Sequence, residues 1–387
     1  MKYIIVGNGA SGMAAAEAIR GRDAAASIHI YTEETQFHYS RPRVIEYLGG
    51  LATPEKIVIR GPEYYAKLNI ELFRGATVES IDPAARTIAA KGGTDSFDRL
   101  ILASGATSFL PPVEGCRLDC VFTLRTIADA DRILARCAPG KRAVVIGGGL
   151  LGIETAASLA RRGLSVSVVE VFDRLLPRQL DADGAAILRA MLERQGLSFL
   201  LPRKTAAIRR NGEGAEVVFE DGTSVGADLV IFSAGIRSDM RLAAAAGIAC
   251  DRGILVDGHM ETSAPGVYAA GDVAQFNGVV YGLWPAAREQ GSFAGRNASG
   301  EEALYAGSQI SAKLKVGGIE LASLGAIGEG PGVTVSTRRA EGAFRRLFLS
   351  GGKLAGAILI GDTSSFVALQ KLLKSGEPIA DPEGLQA

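Results

Sequence analysis

Histidine is scarce in this chain, with only His29, His38 and His259 among 387 residues. A metal site built on imidazoles is therefore not expected. Cysteine is nearly as rare: Cys116, Cys120, Cys137 and Cys250. The pair Cys116/Cys120 lies in a loop-like stretch, and its spacing fits neither a redox C-x-x-C motif nor a zinc knuckle. All four read as buried or incidental thiols. Net charge is missing too, since 42 Lys+Arg balance 42 Asp+Glu. No global field favours nucleic acid or an anionic membrane. No apolar run reaches the length of a membrane span. Met1-Lys2-Tyr3 leads straight into a strand, without room for a signal peptide. A soluble cytoplasmic protein, with no nucleic acid or membrane partner, is expected.

What is abundant is glycine, 49 residues, in a chain that is 47% hydrophobic. That balance suits α/β folds with many tight strand-to-helix turns, and the length predicts two or three domains. The chain opens on YIIVGNGASG (3–12). Ile4, Ile5 and Val6 read as a buried parallel strand, and Gly7, Gly9 and Gly12 lead into a helix ending at the Arg20-Gly21 boundary. This is a dinucleotide fingerprint in its required context. The first glycine makes the turn, the second admits a pyrophosphate to the backbone, and the third lets helix and strand pack closely. The phosphates would sit at the helix N-terminus, where free N–H groups and the macrodipole favour anions.

A second strand, Ser27–Tyr31, runs into Thr32-Glu33-Glu34. An acidic residue near this point holds the ribose hydroxyls of the adenosine half; Glu33 is the choice and Glu34 its neighbouring alternative. His38-Tyr39-Ser40-Arg41-Pro42-Arg43 follows, and an arginine here either neutralises a diphosphate, lies beside a flavin edge or simply decorates a surface loop. Strand-like segments at Asn69–Leu72 and Thr77–Ile81 lead to a hairpin ending at Phe97. The stretch 98–106, DRLILASGA, is a further apolar strand ending in small residues, which allow a flat ligand or its phosphates to approach the backbone. Pro111-Pro112 then marks a linker.

The opening pattern returns at Lys141–Gly152, KRAVVIGGGLLG. A strand, Ala143–Ile146, precedes Gly147, Gly149 and Gly152, and a helix runs from Ile153 through Arg162. The next strand, Ser165–Val169, ends in Glu170. A carboxylate there accepts both ribose hydroxyls of NADH and repels the 2′-phosphate of NADPH, which predicts NADH. Two fingerprints about 140 residues apart mean two dinucleotides in one chain. Further on, 227–235 (ADLVIFSAG) is another strand ending in small residues. Gly266–Asp272 reads as a strand followed by Gly271-Asp272 at a helix start, where Asp272 either accepts from a polyol hydroxyl or caps the helix.

The chain resembles the FAD- and NAD-dependent pyridine nucleotide–disulfide oxidoreductase superfamily. The motifs that carry this are GNGASG (7–12), LILASGA (100–106), GGGLLGIE (147–154) and GILVDGHMETSAPGVYAAGDVA (253–274). Within it the chain is most similar to the NADH:rubredoxin oxidoreductases and the flavoprotein part of nitrite reductase large subunits. The subgroup motifs are YSRPRVIE (39–46), RQLDADG (178–184), RGILVDGHMETS (252–263), KLKVGGIELASLG (313–325) and GAILIGDTSSF (356–366). The resemblance implies an α/β fold with two Rossmann-like domains, for FAD and NAD, the second inserted in the first. The FAD domain would be split over residues 1–108 and 236–303, around an NADH domain at 109–235. A small α+β C-terminal domain, 304–387, would follow.

The same resemblance implies that Gly7, Gly9, Ala10, Ser11, Gly12, Glu33, Val78, Ala103, Ser104, Gly105 and Gly271 bind FAD. Arg41 and Pro42 would approach the flavin, Asp272 would bind the ribitol, and Trp284 and Ala286 would begin a helix that meets the ring. Gly147, Gly149, Leu150, Gly152, Glu154 and Glu170 would form the NADH site, with Gly235 on its other side. Departures matter as well. The redox cysteine pair of the disulfide reductases is absent from the first helix, and the lone cysteine of the peroxidases and oxidases near residue 40 is replaced by Ser40-Arg41. A lysine usual in oxygenase-type ferredoxin reductases is replaced by Glu46.

The expected reaction is hydride transfer from NADH to FAD, then single electrons to a small iron–sulfur acceptor such as rubredoxin. Glu154 and Arg41 are the expected catalytic side chains near the flavin. An acidic acceptor would need a local basic patch, for which Arg43, Arg178, Arg203 and Lys204 are candidates. Alternatives are an NADH oxidase, a reductase subunit for ferredoxin or nitrite reductase, and a redox-sensing flavoprotein. Either a monomer or a homodimer is compatible with the sequence.

Overall fold

A computed structural model describes residues 1–308 and 312–379. Along the chain, β1 (Lys2–Val6) leads to α1 (Ala10–Arg22), β2 (Ser27–Thr32), α2 (Pro62–Lys67), β3 (Ile70–Arg74) and β4 (Arg99–Leu102). A second run follows: β5 (Val121–Thr123), β6 (Arg142–Ile146), α3 (Leu150–Arg161), β7 (Ser165–Val169), α4 (Ala182–Glu193), β8 (Ser198–Leu200) and β9 (Leu229–Phe232). The chain then passes through β10 (Val267–Ala269) and α5 (Trp284–Ala298). It closes with β11 (Ala312–Val316), β12 (Ile319–Gly325), β13 (Val333–Ala340), β14 (Ala343–Ser350), β15 (Lys353–Ile360) and α6 (Phe366–Ser375). Among the described residues no helix is long and apolar enough to cross a membrane.

The chain divides into two compact units. The first comprises Met1–Val44, Ala52–Phe109 and Gly235–Gln309. Its sheet is parallel, in the order β10-β4-β1-β2-β3. Tyr3, Ile4 and Ile5 on β1 are sealed on both faces, as a central parallel strand requires. Helix α1 is built from small residues because α5 lies almost backbone to backbone against it. A Cβ added at Gly291 would sit 2.1 Å from the Ser11 carbonyl oxygen, and one at Gly295 would sit 2.4 Å from that of Ala15. No alanine fits at either position.

The second unit comprises Ile45–Leu51, Leu110–Ala234 and Ile310–Ala387. Its parallel sheet runs β8-β7-β6-β9-β5, the first unit's strand–turn–helix plan repeated. The antiparallel sheet β11-β12-β15-β14-β13 carries α6 over a core that includes Leu324, Leu347, Leu359, Phe366 and Leu369. Arg346 on β14 ties this sheet to the start of α4, reaching Asp181 at 2.5 Å and Asp183 at 2.6 Å. Asp181 also caps α4 by accepting from the Gly184 N–H at 2.8 Å. The segment Ile45–Leu51 joins this unit because α3 and the residue that ends it, Arg162, grip its carbonyls. Arg162 donates to Leu48 at 3.0 Å and Ser158 to Ile45 at 3.2 Å.

Several local expectations need correcting. Helix α1 continues two residues past Arg20, and α3 begins at Leu150 rather than Ile153. The expected hairpin before Phe97 is a three-stranded antiparallel sheet, Val78–Asp82, Thr87–Ala90 and Gly93–Ser96. No helix starts at Gly271-Asp272. The Ala274 N–H closes a turn onto the Gly271 carbonyl, and a strand, Ala274–Phe276, pairs with Ile254–Val256 instead. Asp272 is therefore not a helix cap. The expected 304–387 domain includes residues 309–311 and 380–387, which lie outside the described residues.

Candidate functional site

The two glycine turns are built alike. Gly7 has φ +115°, and a Cβ there would lie 2.1 Å from the Ala103 carbonyl oxygen. Gly147 has φ +124°, with the Ser233 carbonyl oxygen at 2.3 Å from the same imagined atom. Only glycine tolerates both the dihedral and the contact. A Cβ at Gly12 or Gly152 would strike the carbonyl oxygen of Gly7 or Gly147 at 1.9 Å. The middle glycines differ from the outer ones. A Cβ at Gly9 or Gly149 would meet no protein atom within 4 Å. Nothing in the protein demands glycine there, so the open space fits a ligand that approaches the backbone.

Both helices begin without a side-chain cap. Paired N–H groups begin with Met13 in α1 and Ile153 in α3, each bonded to the N-cap carbonyl at 3.0 Å. Two uncapped helix starts facing open space suit the pyrophosphates of two dinucleotides.

Around the first turn, Ala103, Ser104 and Gly105 follow β4. The Ala103 N–H bonds the Val6 carbonyl at 2.8 Å, and the Ser104 hydroxyl bonds the Asp239 carbonyl at 3.1 Å. Gly271 has φ +85°, and its N–H is held by the buried Gln290 side chain at 2.9 Å. The Asp272 carbonyl accepts from the Ser238 hydroxyl at 2.7 Å. Trp284 opens α5, which has no side-chain cap, and Ala286, two residues on, is buried. Val78 is buried and paired with Ala90.

Of the two neighbouring acids, Glu33 is exposed just past β2. Glu34 accepts from the Tyr39 hydroxyl at 2.5 Å and from Arg41 at 2.6 Å. Pro42 sits exposed in the short 3-10 turn Arg41–Arg43. Burial works against the Arg41 charge, yet Tyr39, Glu34 and Asp272 outweigh it and raise its pKa.

At the second turn Glu170 is only 7% exposed. Its carboxylate accepts from the Gly148 N–H at 2.6 Å and the Phe172 N–H at 2.9 Å. Leu150 is half-buried at the start of α3. Glu154 has a backbone partner far from the turn in sequence. It accepts from the Gly317 N–H at 2.6 Å, at the tip of the β11–β12 hairpin. Burial pushes its carboxyl up, against the pull of that hydrogen bond and of Arg161 and Lys315. Gly235 belongs to the first unit, where its carbonyl accepts from the Phe109 N–H at 2.9 Å.

The suggested basic patch is largely spoken for. Arg203 pairs with Asp221 at 3.3 Å, Lys204 with Glu220 at 2.7 Å, and Arg43 donates to the Lys56 carbonyl at 2.9 Å. The four cysteines are free thiols. Burial pushes the thiols of Cys120, Cys137 and Cys250 up, away from the reactive thiolate. What spacing did not reveal is the contact set of Asn8, His38 and Tyr65. Its one sequence signal is an asparagine between two glycines.

A family model described as pyridine nucleotide-disulphide oxidoreductase matches residues 1–291, and one described as rubredoxin NAD+ reductase C-terminal domain matches residues 311–377. The NADH-rubredoxin oxidoreductase of Clostridium acetobutylicum is 33% identical over 387 residues, covering 100% of this chain and 98% of that protein. The crystal structure of the NADH:rubredoxin oxidoreductase from Clostridium acetobutylicum superposes with a TM-score of 0.82 at 32% identity, covering 99% of this chain and 97% of that one. The nitrite reductase [NAD(P)H] of Bacillus subtilis is 34% identical over 98% of this chain. The chain spans about half the length of that protein and of two further relatives in nitrite and nitrate reduction.

Proposed function

Because the chain belongs to the pyridine nucleotide-disulphide oxidoreductase family, we propose that it is an FAD flavoprotein that oxidises NADH and reduces a small iron–sulfur protein of the rubredoxin type. The observation that carries this reading is the similarity to a NADH-rubredoxin oxidoreductase along nearly the full length of both chains. FAD, when bound, takes two electrons as hydride and gives them up one at a time. The protein's own task is to bind and orient. Gly7, Gly9, Ala10, Ser11 and Gly12 hold the FAD pyrophosphate at the α1 start, with Ala103, Ser104 and Gly105 beside the turn. Asp272 is the hydrogen-bond acceptor for the ribityl chain, and Arg41, fixed by Glu34, is the nearby cation.

Gly147, Gly149, Leu150 and Gly152 take the NADH pyrophosphate. Glu170, held in place by two backbone N–H groups, accepts the ribose hydroxyls and repels a 2′-phosphate. No thiol relay is needed. Stopped-flow reoxidation of the NADH-reduced protein tests the reading, with rubredoxin, ferredoxin, oxygen and nitrite as parallel acceptors. Rubredoxin is expected to react fastest, and oxygen matching it defeats the assignment. A second reading, the electron-input module of a nitrite reductase, is favoured by 34% identity to a protein of which this chain spans about half. It predicts slow rubredoxin reduction and fast transfer to a sirohaem partner.

A further inference from the structure

Asn8, between the first two glycines, is gripped from two directions. Its carbonyl accepts from His38 Nδ1 at 2.9 Å, and its side-chain oxygen accepts from the Tyr65 hydroxyl at 2.8 Å. The same hydroxyl accepts from the His38 backbone N–H at 3.2 Å. Three hydrogen bonds therefore close a ring through Asn8, Tyr65 and His38. His38 is 6% exposed and Tyr65 4%. A carbonyl has no proton to give, so Nδ1 carries the imidazole hydrogen and the tautomer is fixed. The imidazole also stacks on Trp284, the first residue of α5, with centroids 5.7 Å apart and planes at 21°.

The consequence for the turn follows from peptide geometry. In a planar trans peptide the N–H points opposite to the C=O. Fixing the Asn8 carbonyl on His38 therefore aims the Gly9 N–H away from His38. That N–H meets no protein acceptor among the described residues. It is a donor left for a ligand, and its direction is set by one imidazole.

We propose that His38 is a positioning residue for FAD: with Tyr65 it locks the Asn8–Gly9 peptide so that the turn presents its N–H groups to the pyrophosphate. This rests on the reading of the first turn as the FAD site. The ring does its work neutral. Burial is the main cause that holds the His38 pKa below its ordinary value, with Arg60 and Arg288 acting the same way and Glu17 and the Asn8 bond opposing. Those charges, with the Tyr65 hydroxyl, are the ionisable groups facing the ring from α1, α2 and its approach, and α5.

The test compares wild type, His38→Ala, His38→Asn and Tyr65→Phe as purified holoprotein. FAD dissociation is followed by the return of flavin fluorescence on dilution, and folding by thermal melting in saturating FAD. Asparagine keeps a donor close to the place of Nδ1. His38→Ala is expected to weaken FAD binding about tenfold, the worth of one buried hydrogen bond. His38→Asn should restore most of that loss, and Tyr65→Phe should fall between. NADH affinity should stay at the wild-type value in all three. His38→Ala or Tyr65→Phe protein that holds FAD as tightly as wild type overturns the proposal. So does His38→Asn binding as weakly as His38→Ala, since ring bulk would then be what matters. Wild-type protein that takes up no FAD overturns instead the reading beneath it.

Discussion

The two glycine turns share a skeleton and differ in what holds the residue between the first and second glycines. In the second turn that residue is Gly148, and the acid at the end of the next strand reaches back to it directly. Glu170 accepts the Gly148 N–H, and a Cβ at Gly148 would stand 3.0 Å from the Glu170 Cβ. In the first turn the residue is Asn8. The acids after β2 leave it alone, and His38 and Tyr65 hold it by carbonyl and side chain. One dinucleotide turn is thus steadied by the group proposed to read the ribose, and the other by groups proposed to do nothing else. Local spacing sets the turn, whereas its stiffness comes from residues far away in sequence.

The comparison breaks most visibly at the outer glycines. Gly7→Ala or Gly147→Ala puts a methyl group into a carbonyl at a positive φ, at a cost on the order of 3 kcal/mol. Each should lower the melting temperature and abolish binding of its own dinucleotide. Gly9→Ala and Gly149→Ala touch no protein atom, so they should weaken dinucleotide binding with stability nearly unchanged. Thermal melting beside cofactor titration separates the two classes. Equal destabilisation by all four substitutions would mean that the middle glycines serve the fold.

Glu170→Gln sharpens the difference in second place. It removes the charge and leaves one of two backbone donors poorly met. The kcat/KM for NADH should fall about tenfold and that for NADPH should rise. The FAD content should stay at wild type, because nothing equivalent acts at the first turn. Unchanged cofactor preference removes Glu170 from the NADH site.

Glu154 gives a smaller effect of another kind. Glu154→Ala leaves the Gly317 N–H without its acceptor and should cost about 1–2 kcal/mol in denaturant titration. Glu154→Gln keeps an acceptor oxygen and should be nearly neutral. If Glu154→Gln nevertheless slows flavin reduction by NADH, the charge acts in catalysis as well as in holding the hairpin.

The smallest effect is on pH dependence. The folded pKa of His38 lies below its ordinary 6.5, mainly through burial. As the pH falls, the unfolded chain takes up this proton first, so stability declines. The contribution is complete above about 6.5 and is lost as the pH drops through the folded value. His38→Asn should flatten that part of the stability profile, and an unchanged slope would mean that other groups produce it.

Both turns could be read from the sequence because each is a local code of strand, three glycines and helix. The small residues of α1 belong to the same code, since they admit α5. Other features depend on distant partners. Gly271-Asp272 reads like a helix start, but the backbone after it is claimed by Ile254–Val256. Glu154 lies near the start of α3 like a cofactor ligand, and its acceptor role toward Gly317 spans 163 residues. His38 and Tyr65 lie 30 and 57 residues from Asn8, with no periodicity to betray them. Ile45–Leu51 sit inside the segment expected for the first domain, yet α3 and Arg162 hold them in the second unit.

An anaerobic titration of the purified yellow protein with NADH, its accessible thiols alkylated beforehand under native conditions, tests the core of the account. A flavin working without a protein thiol should bleach fully with about one equivalent of NADH per FAD and then be reoxidised by rubredoxin. A requirement for a second equivalent, or loss of turnover on alkylation, would place a cysteine in the electron path and contradict it.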